Sequence, residues 1–229
     1  MQGSIFSEVV FKVGPIEITE AVLTSWGVIT VLAVLSVFLT RDLSIWSPKR
    51  LQIVLEAIVE AISNTIKSTI NADPWPFVPL IGGMWIYIGF LNLVNLLPHL
   101  HNPTRDLSTT SALATISFLS VHYYGIKHNG VKRYLRHYLE PVFILAPFNI
   151  FGEISRSMAM AIRLFGNMLS WEMIVAILLL LVGFLVPIPL ILLSIVGDLI
   201  QAYLFGALTL VFIAGSIQTI EKKGFVFTD

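Results

Sequence analysis

The chain has 229 residues, of which 56% are hydrophobic and 12% charged, with 14 Lys and Arg balancing 14 Asp and Glu and a mean hydropathy of +0.85. A soluble globular domain carries roughly 25% charged residues, so the composition excludes an ordinary soluble protein and predicts an integral membrane protein built from apolar spans of about 20 residues. Zero net charge gives no hint of nucleic acid or of an acidic substrate, and the lack of cysteine excludes disulfides, thiolate metal sites and thiol redox chemistry.

Residues 1–20, opening with "MQGSIFSEVVFKVGP", lack the basic start and short apolar core of a cleavable signal peptide and read as a segment ahead of a retained first span. Residues 21–39 carry no charge and are long enough to cross a bilayer. Ser47 and Pro48 then read as an N-cap and a first helical residue. Over residues 48–70, Leu51, Val54, Leu55, Ile58, Ile62, Ile66 and Ile70 fall on one helical face, and Gln52, Glu56, Glu60, Asn64 and Lys67 on the other. Two glutamates and a lysine make this a poor crossing segment, so an in-plane amphipathic helix, or one packed on a partner, is predicted.

After "NADPWPFVP", span two covers residues 75–97 and stops at Pro98. The polar loop "HLHNPTRD" leads to span three, residues 107–126, and "KHNGVKRYLRHYLEP" is a basic connector. Two long apolar segments follow, residues 149–185 and 189–220, separated by "VPIP". As helices they would reach about 55 and 48 Å. A hydrocarbon core is only about 30 Å thick, so a hairpin of two strongly tilted helices is predicted. Residues 221–229 form the tail. With no internal repeat and no low-complexity linker, the chain reads as one all-α membrane domain of five crossing segments plus the amphipathic helix.

Five crossings put the termini on opposite sides. Lys12 and Arg105 fall on the N-terminal side and Arg163 within the membrane, so three of the 14 cations are set aside and the remaining 11 lie on the other side. The positive-inside rule then places the N-terminus outside and the C-terminus in the cytoplasm.

The last two helices hold the unusual charges. At 100° per residue, Arg156, Arg163, Asn167 and Ser170 project onto one face, bordered by Gly152, Ala159 and Gly166, small residues that let another helix approach closely. Glu172 projects about 180° from Arg163 and lies about 13.5 Å further along the axis. On the final helix Ser194, Asp198, Gln201 and Phe205 share a face. Ionisable groups inside a membrane pair, face an aqueous cavity or mark an ion path, and two acids and a guanidinium at different depths suggest the last.

"RLFGNM" (Arg163 to Met168), with Glu172 and then "LIQAYLF" (Leu199 to Phe205), resembles subunit a of F-type ATP synthase, and "FLNLVNLLP" (Phe90 to Pro98) is similar to that family's second membrane segment. The resemblance extends over the whole chain in span order, amphipathic helix, basic connector and C-terminal hairpin. It implies a stator subunit of the bacterial inner membrane, working beside a rotor c-ring and peripheral-stalk b subunits, with no cofactor, no metal and no ATP chemistry of its own. Arg163 becomes the essential stator charge between two offset half-channels. Asn167 and Gln201 become its polar neighbours, and Arg156, Ala159, Gly166 and Ser170 face the rotor. Glu172 belongs to the outer half-channel, with Asp198, Ser194, Asn92, Asn95 and His99 assigned to the ion pathway. One position departs from the pattern: seven residues before Gln201 the family commonly has a histidine or an acid, where this chain has Ser194, with Asp198 one turn closer.

Each residue also has a plainer reading. Arg163 could form a structural ion pair with Glu153 or Glu172, and Glu172 could be an interfacial acid near a helix end. Asp198 could tie the helical hairpin by hydrogen bonds, and Arg156 could be a snorkelling cytoplasmic anchor. Asn95, His99 and His101 either line an aqueous entry or are solvated in a loop, and His122 reads as an interfacial residue beside aromatic anchors. The same subunit could carry Na⁺ in place of H⁺. A secondary carrier and a non-conducting structural subunit are the rival classes. No zinc-protease spacing, serine elbow or phosphate loop occurs, so nothing supports an independent enzyme.

Overall fold

The computed structural model describes residues 9–13, 16–41, 43–44, 48–70, 73–94, 103–134, 146–183 and 186–225. An antiparallel hairpin opens the chain, β1 (Val9–Val13) against β2 (Ile16–Thr19), with Val13 opposite Ile16 and Lys12 opposite Glu17. Six principal helices follow: α1 (Glu20–Thr40), α2 (Arg50–Thr69), α3 (Val78–Val94), α4 (Leu107–Asn129), α5 (Ala146–Val182) and α6 (Pro187–Phe225), with a 3-10 turn, Pro103–Arg105, ahead of α4.

Among the described residues, three helices are long and apolar enough to cross a membrane: α1, α5 and α6. The third of these, α6, is so over residues 187–217. The apolar α3 has 17 residues, which at 1.5 Å each span about 26 Å. The 37 residues of α5 and 39 of α6 correspond to about 55 and 58 Å of continuous helix.

The helix boundaries follow local chemistry. The side chain of Asp106 caps α4 by accepting from the backbone N–H of Ser108 at 3.0 Å, and Gly130, at φ +77°, ends that helix in a conformation that costs a glycine little. The helix α3 begins at Val78, three residues after the start expected for the second apolar segment, because Pro74 and Pro76 break the chain and the N–H groups of Phe77 and Val78 both turn back to the Pro74 carbonyl. Pro48 lies outside α2, whose N-cap is Lys49 without a side-chain cap. Pro187 and Pro189 sit inside the first turn of α6, where a missing N–H costs nothing, and the helix runs past residue 220 to Phe225.

Two apolar clusters hold the bundle. The first joins Ile62, Ile66 and Ile70 to Phe77 and Ile81 of the α3 region, Val121 of α4, and Leu210, Ile213, Ala214 and Ile217 of α6. The second joins Met84 and Ile88 of α3, Leu113 of α4, Met160 and Leu164 of α5, and Ala202 and Phe205 of α6. The C-terminal half of α2 therefore packs into the bundle, while Leu51, Val54 and Ile58 of its N-terminal half stay exposed. Gln52, expected on the polar open face, is buried: its amide nitrogen donates to the Ser44 carbonyl at 3.0 Å and its amide oxygen accepts from the Ser44 N–H at 3.1 Å. A side chain that satisfies the backbone ahead of its own helix is hidden from helical periodicity.

Polar bonds cross the bundle at three levels. The Ser117 and Thr209 hydroxyls, both fully buried, lie 2.7 Å apart between α4 and α6. Trp85 Nε1 of α3 donates to the Tyr203 carbonyl of α6 at 2.9 Å, with their rings stacked at 5.2 Å, and the indole lies where Gly206 leaves room. Asn92 of α3 donates to the Asp198 carbonyl of α6 at 3.0 Å. Such interhelical bonds contribute on the order of 0.6 kcal/mol each in a bilayer, up to about 1.7. Their larger effect is to fix the register of α3, α4 and α6.

Candidate functional site

A cavity of about 130 Å³ opens between α3, α5 and α6, with room for several waters. Its polar walls are Asn92, Glu172, Ser194 and Asp198, and its apolar walls include Trp171, Val175, Ile191 and Ile195. Four residues assigned to the ion pathway from the sequence thus line one cavity, although the first and last are 106 positions apart.

Burial grades across this cavity. The Glu172 side chain is 39% exposed, whereas Asp198 is 5% and Ser194 6% exposed. Ser194 satisfies its hydroxyl locally by donating to the Ile191 carbonyl at 2.9 Å. Asp198 Oδ1 has no hydrogen-bond partner among the described residues. A buried carboxyl oxygen left without a protein partner is costly unless water reaches it, and the adjoining cavity provides that space.

Glu172 forms an ion pair with Arg105 of the 3-10 turn. Glu153 of α5 pairs with His122 of α4, Nε2 to Oε2 at 3.3 Å, beside the Phe118 ring. Both acids that could have formed a structural pair with Arg163 are therefore engaged elsewhere. Arg163 is exposed on α5, about 100° around the helix from fully buried Leu164. Among the described residues it makes no hydrogen bond and no ion pair.

Ala159 and Ser170 are likewise exposed, and Gly166 and Asn167 partly so. Apart from its own helix, none of the described residues lies within 4 Å of where a Cβ on Gly166 would stand. Arg156 has different surroundings from Arg163 despite the shared projection: its guanidinium carbon lies 4.9 Å from the centre of the Phe212 ring on α6, a cation–π contact. Gln201 is buried on α6 at 7% exposure. Asn95, His99 and His101 lie outside the described residues.

Arg105 and Thr104 were not singled out from the sequence. Arg105 acts across 67 positions and Thr104 across 12, and the local sign was a cation in the short loop "HNPTRD" before α4.

The residues 22–214 match the family model described as ATP synthase A chain. The chain belongs to this family. Among similar proteins, ATP synthase subunit a 1 of Hahella chejuensis is 44% identical over 97% of this chain and 94% of its own length. ATP synthase subunit a 2 of Pelobacter propionicus is 42% identical over 95% of each, and ATP synthase subunit a of Legionella pneumophila is 40% identical over 93% of each. As an ATP synthase A chain, the protein is a multi-pass membrane subunit that translocates ions without catalysing ATP chemistry, which other subunits carry out.

Proposed function

We infer that this chain is the proton-conducting stator of a rotary ATP synthase, a single membrane domain that crosses a bacterial inner membrane five times with its N-terminus outside and its C-terminus in the cytoplasm. α1, α3, α4, α5 and α6 are the crossings, α2 lies along the membrane surface, and α5 and α6 form a tilted hairpin beside a rotor c-ring. Peripheral-stalk b subunits hold the assembly static.

One observation carries this reading: Arg163 stands exposed and unpaired among the described residues, while the acids of its own helix are engaged elsewhere and Glu172 shares a cavity with Asp198 that has room for several waters. A guanidinium keeps its proton at any relevant pH. Fixed between two offset half-channels, it repels a proton taking the direct route and attracts a rotor carboxylate, favouring its ionised form and delivery of its proton to the cytoplasmic side. The outer cavity then reprotonates the rotor group through Glu172 and Asp198. Each unit charge crossing about 100 mV releases roughly 2.3 kcal/mol, so several crossings must be coupled to one ATP, and rotation supplies that coupling.

Arg163→Ala in the assembled complex is expected to abolish ATP synthesis driven by an ion gradient while the subunit still inserts. Arg163→Lys should fail as well, because a flexible ammonium lacks the planar fork. Near-normal coupled synthesis in either variant rejects the stator reading.

A further inference from the structure

The 3-10 turn Pro103–Arg105 is tied to both acids of the cavity. Arg105, whose side chain is 12% exposed, pairs directly with Glu172. Thr104, fully buried, donates to Asn92 Oδ1 at 3.2 Å, and Asn92 Nδ2 donates to the Asp198 carbonyl at 3.0 Å. The turn also packs against α1, α3, α4 and α5, so Arg105 is carried on a rigid support. The ion pair uses Glu172 Oε1, and Oε2 has no partner among the described residues. One carboxylate oxygen is held and the other is left able to accept from water.

We propose that Arg105 is the positioning residue of the outer relay: it grips Glu172 by one oxygen so that the other faces the water shared with Asp198. This rests on the reading of Glu172 and Asp198 as relay groups. Arg105 does not itself pass the proton, because its charge is permanent. Its contribution is orientation, where an error of about 1 Å in a reacting group can cost up to a hundredfold in rate.

The test measures passive proton flux per assembled complex through the membrane sector in vesicles, for Arg105→Ala, Arg105→Lys, Glu172→Gln and the double variant Arg105→Ala with Glu172→Gln. Arg105→Ala should lower flux about tenfold or more. Arg105→Lys should recover most of it, since a point charge can still hold one oxygen. In the Glu172→Gln background, Arg105→Ala should add no further loss, because the carboxylate to be positioned is gone. Normal flux per complex in Arg105→Ala overturns the proposal, whether or not less complex assembles. So does an equal loss of flux with and without the Glu172 carboxylate, which is what a purely structural clamp gives. Arg163→Ala run in parallel separates the two readings: if it leaves coupling intact, the stator reading falls, whereas uncoupling by Arg163→Ala with unaltered flux in Arg105→Ala removes only the positioning role.

Discussion

The side-chain amide of Asn92 on α3 donates to the backbone carbonyl of Asp198 on α6 at 3.0 Å, and its oxygen accepts from Thr104 at 3.2 Å. An amide that is 3% exposed and uses both ends joins α3, the 3-10 turn and α6 at the cavity. Asn92→Leu removes both bonds while keeping the volume similar. A loss of about 1–3 kcal/mol is expected, read as a lower unfolding midpoint of the purified complex in detergent, together with reduced proton flux. An unchanged midpoint would mean that Asn92 does not hold α6 in register.

Asp198 and Ser194 line the same cavity one helical turn apart, about 6 Å. If the outer relay needs a titratable group here, Asp198→Asn lowers proton uptake from outside by on the order of tenfold to a hundredfold. Ser194→Glu in that background then restores part of it. Should Asp198 serve only to tie the hairpin, the Asn variant retains flux and Ser194→Glu rescues nothing. Unimpaired flux in assembled Asp198→Asn rejects its relay role.

Two glycines give opposite expectations on substitution by alanine. A Cβ at Gly206 would collide with the Trp85 indole, whereas one at Gly166 meets none of the described residues outside its own helix within 4 Å. Gly206→Ala should destabilise the bundle by about 1–3 kcal/mol through overpacking. Gly166→Ala should leave the isolated subunit's stability unchanged and, on the proposal that this stripe faces the rotor, lower coupled ATP synthesis. Equal thermal midpoints for the two variants would show that the Trp85 contact is not tight.

Cysteines at Ala159 and Ser170, both exposed on α5, should form disulfides with cysteines on the outer helices of the rotor ring. A cysteine at Ser157 should not, because that residue lines a groove between α5 and α4 with Thr115 and Phe118. Comparable yields at all three positions would reject the assignment of the rotor-facing stripe.

The sequence was most informative where a property repeats along one helix. The apolar runs of α1, α4, α5 and α6 predicted those helices to within a few residues at most ends, and the shared helical face of Ser194 and Asp198 agrees with their lining one cavity. Helical projection also separated Glu172 from Arg163, and their surroundings differ as that separation implies. What it could not supply was pairing across distance. Arg105 meets Glu172 over 67 positions and Glu153 meets His122 on another helix, and no periodicity within a single segment encodes such partners. The hairpin of Val9–Val13 with Ile16–Thr19 lies ahead of the predicted helices. Alternating Val9, Phe11, Val13 and then Ile16, Ile18 was the available signal, overshadowed by the stronger apolar run that follows.

The cavity draws its walls from widely separated parts of the chain, with Asn92 early, Glu172 late and Asp198 later still. Translation is directional, so a nascent chain that has already released α3 and the Pro103–Arg105 turn possesses only one side of the compartment. Arg105 and Asn92 wait for partners that the ribosome has yet to add. The compartment closes when α6 docks, and from then on its two acids share one space. A chain that has not yet added its last helix therefore lacks one wall of this cavity, and the order of residues along the polypeptide makes α6 the element that completes it.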